Sequence, residues 1–105
     1  MYNAYRDHTY ETLDHVDTFA DGIAVKTPGE TTFKMIEQYV DGIVTVSEDE
    51  IAAAILALME NQKLVAEGAG ATPVAAALFG KLPIEGKKTV CLISGGNIDV
   101  NILVL

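Results

Sequence analysis

Apolar positions along this chain follow two rhythms, one of three to four residues and one of unbroken or alternating runs. Phe33, Ile36 and Val40 recur at helical spacing behind Pro28-Gly29, which predicts a helix that Asp41-Gly42 breaks. Ser47-Glu48-Asp49-Glu50 reads as a capping box, in which the Ser47 oxygen accepts from the Glu50 amide while the Glu50 carboxylate reaches back. It opens a helix from Glu48 to about Gln62 that buries Ile51, Ile55 and Leu58 on one stripe, with three acidic residues suited to the positive end of the helix dipole. A third, alanine-rich helix is expected from about Thr72 to Phe79, with Pro73 in its first turn and Gly80 as its stop. Between these lie apolar runs that read as strands: Gly22–Lys26, Ile43–Val46, Leu64–Ala66 and Lys88–Ile93. From Met1 to Phe19 neither period holds, and residues 1–16 are expected to form an irregular arm ahead of a 17–105 unit. Alternating strands and helices imply an α/β fold, a partial parallel sheet with flanking helices and right-handed crossovers.

The chain has 105 residues, room for one small domain, and half of them are hydrophobic, which argues against disorder over most of its length. A formal charge of -8 excludes a basic phosphate-binding surface, so no nucleic-acid partner is expected. The longest apolar run, Ile51–Met59, has nine residues, about half of the roughly 18 that a membrane span requires, so no membrane partner is expected either. The polar opening carries no signal-peptide core. The lone cysteine, Cys91, excludes an internal disulfide, and a cytoplasmic location is expected.

Two glycine-rich turns fall where an open parallel sheet binds ligands, beyond the carboxyl ends of its strands. Glu67-Gly68-Ala69-Gly70-Ala71 resembles half a dinucleotide fingerprint, but it lacks the third glycine and is followed by Lys87 and Lys88 where a ribose-binding acid belongs. Tight packing of an alanine-rich helix on its strand is the preferred reading, over nucleotide binding. At Ser94-Gly95-Gly96-Asn97 the glycines let backbone approach a planar ligand and the serine offers one directed hydrogen bond; an ordinary turn with a left-handed Asn97 is the other reading. His8 and His15 have no helical spacing that would make them a metal pair. Asp14, His15 and Asp17 lack a nucleophile elbow, and Cys91 inside its strand reads as a small apolar residue. No residue is assigned to catalysis or to a metal.

Four segments together resemble the pyridoxal-phosphate-dependent threonine/serine dehydratases, the threonine ammonia-lyases that are close relatives of serine racemase. They are Asp17–Val25, Val40–Ile51, Val65–Ala71 and Ile93–Asp99, in family order and spacing. The resemblance covers Leu13 to Leu103 and corresponds to the C-terminal part of the family's catalytic region. It implies part of a fold-type II, tryptophan-synthase-β-like architecture, pyridoxal phosphate as cofactor, and β-elimination of an amino-acid substrate, L-threonine giving 2-oxobutanoate and ammonia. By resemblance Ser94 matches the residue that hydrogen-bonds the pyridine nitrogen. A neutral hydroxyl there makes the ring a weaker electron sink than a carboxylate would, which favours prompt loss of the β-hydroxyl. Gly95 and Gly96 match the turn beside the ring, Glu67 a glutamate near it, and Asn97 an effector-contacting position of the racemase branch. The family's Schiff-base lysine sits in a Ser-x-Lys-x-Arg-Gly-type motif that none of the six lysines here occupies, and the tetraglycine phosphate loop has no counterpart. The upstream acidic residues that bind a divalent cation, and a downstream regulatory domain, have none either. The expectation is therefore a truncated lyase segment, inactive alone, that self-associates or pairs with dehydratase subunits. The alternative is a non-catalytic small-ligand-binding or subunit-interaction module that retains the fold.

Overall fold

The structure is a computed structural model that describes residues 1–103, and its described elements are helical. They are α1 (Tyr2–Asp7), α2 (Glu30–Tyr39), α3 (Glu48–Ala57), α4 (Gly68–Leu78) and α5 (Val100–Leu103), with a 3-10 turn at Asp21–Ile23 and a π-helical turn at Leu58–Gln62. None of these helices is long and apolar enough to cross a membrane.

The capping box forms as the sequence demands. Ser47 Oγ accepts from the Glu50 amide at 3.2 Å and Glu50 Oε1 accepts from the Ser47 amide at 2.8 Å. The other carboxylate oxygen of Glu50 meets Lys81 Nζ at 3.0 Å, so one side chain ties the start of α3 to the segment that leaves α4. Glu48 reaches outward in the same turn, its Oε2 accepting from the Phe19 amide at 3.2 Å. The α3 N-terminus thus fastens both the entry and the exit of the core.

That core lies between α3 and α4. Ile51, Ala54, Ile55 and Leu58 from α3 and its π turn pack against Ala71 and Ala75 of α4, with Ala20 and Ala66 closing the ends. Alanine dominates because the two helices lie close together: Ala20, Ala54, Ala66, Ala71 and Ala75 are all at 0% exposure. A smaller cluster joins α1 to α2, where buried Phe33 meets Tyr10 edge-on, with ring centroids 5.2 Å apart, and the Tyr5 hydroxyl donates to the Val40 carbonyl.

Three expectations need correction. The opening is not irregular throughout, since Tyr2–Asp7 is helical and ends at His8 in the left-handed region, with φ of 58°. Helix α4 starts at Gly68, four residues before the expected Thr72, so Pro73 lies inside it rather than in its first turn. Gly68 and Gly70 let the extra turn enter a space too narrow for side chains. Gly80 stops the helix as expected, at φ of 64°, and the Lys81 amide reaches back to the Ala76 carbonyl at 3.1 Å.

The third correction concerns the sheet. Among the described residues no strand forms, so the partial parallel sheet is not present in this structure. A strand is defined by its ladder, and these runs find almost no ladder partner in the chain itself. Two inter-segment bonds remain, from the Leu13 amide to the Lys26 carbonyl and from the Glu67 amide to the Gly95 carbonyl, each at 3.0 Å. Residues 88–93 nonetheless keep a strand's alternation. Cys91 and Ile93 are half-buried, while Val90 and Leu92 are 94% and 77% exposed. The expected strand at Gly22–Lys26 becomes the 3-10 turn, because Gly22 comes so close to Ala69 of α4 that a Cβ there would lie 3.0 Å from the alanine methyl.

Two measurements check these assignments. The Ser47 amide, and then Lys81, hold the Glu50 carboxyl below the ordinary carboxylate range. A depressed folded-state pKa contributes stability that is complete above the unfolded value of about 4.3 and lost as pH falls through the lower folded value. Urea unfolding of E50Q should therefore show a deficit at pH 6–7 that closes as the pH drops below about 4; an equal deficit across that range would refute the assignment. Lys63 ends the π turn with φ of 56°. Because an L-residue in the left-handed region is strained, K63G should stabilise the chain by up to about 1 kcal/mol in the same assay.

Candidate functional site

The Ser94-Gly95-Gly96 turn is held against the start of α4 by contacts that only glycine permits. A Cβ on Gly95 would sit 2.5 Å from Glu67 Oε1, and one on Gly96 would sit 2.5 Å from the Val65 carbonyl oxygen. From the other side, a Cβ on Gly70 would meet the Gly95 carbonyl oxygen at 2.8 Å and the Gly95 amide nitrogen at 3.2 Å. Three glycines thus allow two backbone segments and a helix end to meet at van der Waals distance.

Glu67 is the hinge of this contact. It occupies the N-cap position of α4 in extended conformation, and its carbonyl accepts the first helical bond, from the Ala71 amide at 3.0 Å. Its own amide donates to Gly95, and its half-buried carboxyl group packs over the same residue. Ser94 is exposed, on the alternation that also turns Val90 and Leu92 outward.

Four of the five sequence-predicted site residues therefore meet: Glu67, Ser94, Gly95 and Gly96. Asn97 follows directly in the chain and is exposed; it does not take the left-handed conformation that the ordinary-turn reading assigned to it. The Gly96 carbonyl instead accepts from the Ile98 amide at 2.9 Å, which closes the turn. His8 lies beside Glu37 on the surface, with Nδ1 3.6 Å from Oε1. Cys91 is half-buried, its thiol directed at the Pro73 carbonyl at 3.8 Å. Sequence reasoning misses Gly70 and Val65 as partners of the Ser94 turn. The Gly68-Ala-Gly70 spacing announces close packing, but not against which distant segment.

The donor set suits one end of a cofactor such as pyridoxal phosphate. An exposed hydroxyl beside a backbone turn can bond a ring nitrogen, and a neighbouring carboxyl group can lie against the ring. Glu67, Ser94, Gly95 and Gly96 supply no amine. The Cβ spaces of Gly95 and Gly96 are filled by the chain's own Glu67 and Val65, so these glycines serve the packing of the turn first.

The sequence model of the pyridoxal-phosphate dependent enzyme family matches residues 1–96. The chain is 57% identical over 93 residues to an L-threonine ammonia-lyase of Thermotoga maritima, covering 89% of this chain and 23% of that protein. It is 48% identical over 98 residues to the catabolic L-threonine dehydratase of Escherichia coli K12, covering 90% and 30%. Among solved structures, the T.th. threonine deaminase superposes with a TM-score of 0.84 at 36% identity, over 93% of this chain and 36% of that one. The processed threonine deaminase isoform 2 of Solanum lycopersicum gives 0.87 at 34% identity, over 98% and 31%. The chain thus spans between about a fifth and about a third of the length of these relatives.

The close approach makes a discriminating pair of variants. Alanine is the better helix former by about 1 kcal/mol, yet G70A should destabilise the chain by about 1–3 kcal/mol, because its methyl meets backbone that cannot swing aside. G42A, with nothing within 4 Å of its Cβ, should shift stability by less than about 0.5 kcal/mol. Thermal unfolding of both reads the difference.

Proposed function

The chain belongs to the pyridoxal-phosphate dependent enzyme family, and from that premise we propose that it is the C-terminal part of the catalytic region of a threonine ammonia-lyase. The observation that carries the reading is the meeting of Glu67 with Gly95, the neighbour of Ser94 and far from Glu67 in sequence, in a chain 57% identical to a protein named for that activity. Pyridoxal phosphate, the family's cofactor, supplies an electron sink for β-elimination of L-threonine to 2-oxobutanoate and ammonia.

In this reading Ser94 donates its hydroxyl hydrogen to the ring nitrogen, or accepts one from it, and keeps the ring oriented. Gly95 and Gly96 keep the turn flat against Val65 and Glu67, so that the serine is held by backbone rather than by a mobile loop. Glu67 stiffens the turn and would lie against the ring, and Asn97 would contact an effector. The extended runs at 22–26, 43–46, 64–66 and 88–93 belong to a parallel sheet completed by the rest of the catalytic region. Residues 17–105 form one portion of that region, and a cytoplasmic setting goes with the reduced Cys91.

The 105 residues alone do not turn over threonine, because no lysine stands in the motif that carries the cofactor and no glycine loop holds its phosphate. A second reading, a non-catalytic ligand-binding or subunit-interaction module, draws support from the intact capping box of α3.

Incubation with pyridoxal phosphate, borohydride reduction and intact-mass measurement test the first reading, with a 2-oxobutanoate assay on L-threonine alongside. The expected outcome is no stoichiometric adduct and no product. A single adduct accompanied by turnover would show that one of the six lysines has taken over the role.

A further inference from the structure

We propose that the loop formed by residues 14–25 is a clamp through which the α1–α2 lobe holds the first turn of α4, and with it the Glu67–Gly95 contact, in place. The device lies in the chain itself and acts whether or not a cofactor is bound.

The described residues form two cores rather than one. Ala4 of α1 and Phe33 of α2 are buried in the first, where Tyr10 meets Phe33 edge-on, the Tyr5 hydroxyl donates to the Val40 carbonyl and His8 lies beside Glu37. The second, between α3 and α4, draws on Phe19, Ala20 and Val46 but on nothing from residues 1–17 or 24–40. Among the described residues, no Cα of α2 comes within 8 Å of one in α3 or α4. Lobes with separate cores open separately, because either core can be lost without uncovering the other.

The lobes are connected twice. Residues 41–46 run from α2 to α3, with nothing within 4 Å of the Cβ position of Gly42. The other connection is the loop. Its neck is closed inside the α1–α2 lobe, where the Leu13 amide donates to the Lys26 carbonyl at 3.0 Å and the Thr12 and Thr27 hydroxyls bond at 2.8 Å. Its tip is seated on the other lobe. Phe19 packs on the α3–α4 core, Ala20 is fully buried, and Glu48 Oε2 accepts from the Phe19 amide. The tip is also stiffened from within, by the Ala20 amide on Thr18 Oγ1 at 3.1 Å and the Ile23 amide on the Ala20 carbonyl at 3.0 Å. A loop with its ends drawn together and its tip packed carries the position of one lobe to the other.

The tip presses on the less secured of the two helix starts. A capping box opens α3, whereas Glu67 gives α4 no side-chain cap. Packing holds the first turn of α4 instead. Ala20 and Gly22 wall it on one side, against Gly68 and Ala69, and Gly95 walls it on the other, against Gly70. Withdrawal of the tip removes one wall, and an uncapped first turn without support frays. The Glu67 amide, bonded to the Gly95 carbonyl, and the Ala71 amide, bonded to the Glu67 carbonyl, then open together.

Amide hydrogen exchange, resolved residue by residue by NMR on the full 105-residue chain, tests the clamp. F33A empties the core of the α1–α2 lobe, and Phe33 has no part in the other core. Amides of α2 should then exchange at least about tenfold faster and those of Glu67 and Ala71 at least about threefold faster, while Ile55 and Leu58 in the α3 core stay within about twofold. E48A removes the acceptor of the Phe19 amide. It should raise exchange at Glu67 and Ala71 about threefold and leave α2 within about twofold. Equal acceleration of α2 and α3 in F33A, or unfolding of the whole chain, would show a single cooperative unit and overturn the proposal. Glu67 and Ala71 amides left unchanged by either variant would overturn it as well. No readout depends on a cofactor, on lysine chemistry or on turnover, so the result is independent of the adduct experiment.

Discussion

The first turn of α4 governs where every residue of the candidate site can lie. Its backbone is pressed on one side against Phe19 and Ala20, where a Cβ on Gly68 would come within 2.9 Å of the Ala20 Cα, and on the other against the Ser94–Gly95 backbone. Neither approach can be relieved by rotating a side chain, because backbone faces backbone. The site is therefore registered by steric exclusion between main chains, a stiffer restraint than a hydrogen bond, whose net contribution is only about 1 kcal/mol. Glu67 adds the one directed interaction, its amide on the Gly95 carbonyl, and its placement at the N-cap follows from where α4 is forced to begin.

The same crowding accounts for the alanine-rich core. Helices that approach closely enough to set Gly68 and Gly70 against other backbone leave no width for leucine at Ala54, Ala71 or Ala75. Little apolar area is buried per residue, and among the described residues no large side chain is fully enclosed. Polar ties take up part of the task. Ser47, Glu50, Lys81 and Glu48 join three separate segments around the start of α3, in a chain whose formal charge of -8 works against compaction.

The parts of the fold legible in the sequence are those whose causes are local. The capping box, the Pro28-Gly29 start of α2 and the left-handed Gly80 stop each involve residues a few positions apart, and each helix forms where its signals lie. The start of α4 is not legible in this way, because its two glycines answer to Ala20 and Gly95, tens of residues away. Four apolar runs read as strands from β-branched content and alternation, but a ladder is a relation between segments, and within the described residues that relation is limited to two isolated bonds, Leu13 to Lys26 and Glu67 to Gly95. The site is legible in part: Glu67, Ser94, Gly95 and Gly96 are brought together, whereas the reason for the glycines is contact with Glu67 and Val65.

Large aliphatics lie on both sides of this chain's boundary: Ile51, Ile55 and Leu58 are buried beside the core alanines. Monomeric proteins seldom expose a large contiguous apolar surface. In this chain alanines fill the centre while Val90, Leu92, Leu64 and Val65 stand outside, all of them on extended backbone. The two layers have separate functions. The helical layer closes a core between α3 and α4 and caps the start of α3, though Leu56 and Leu78 of these helices also stand outside. The extended layer is complete only on the side that faces the helices. A layer finished on one face carries its site at the boundary, and Ser94 lies there, anchored from behind by Gly95 and Glu67 and open in front. Position at such a boundary explains how one serine can be rigidly held and still face a ligand.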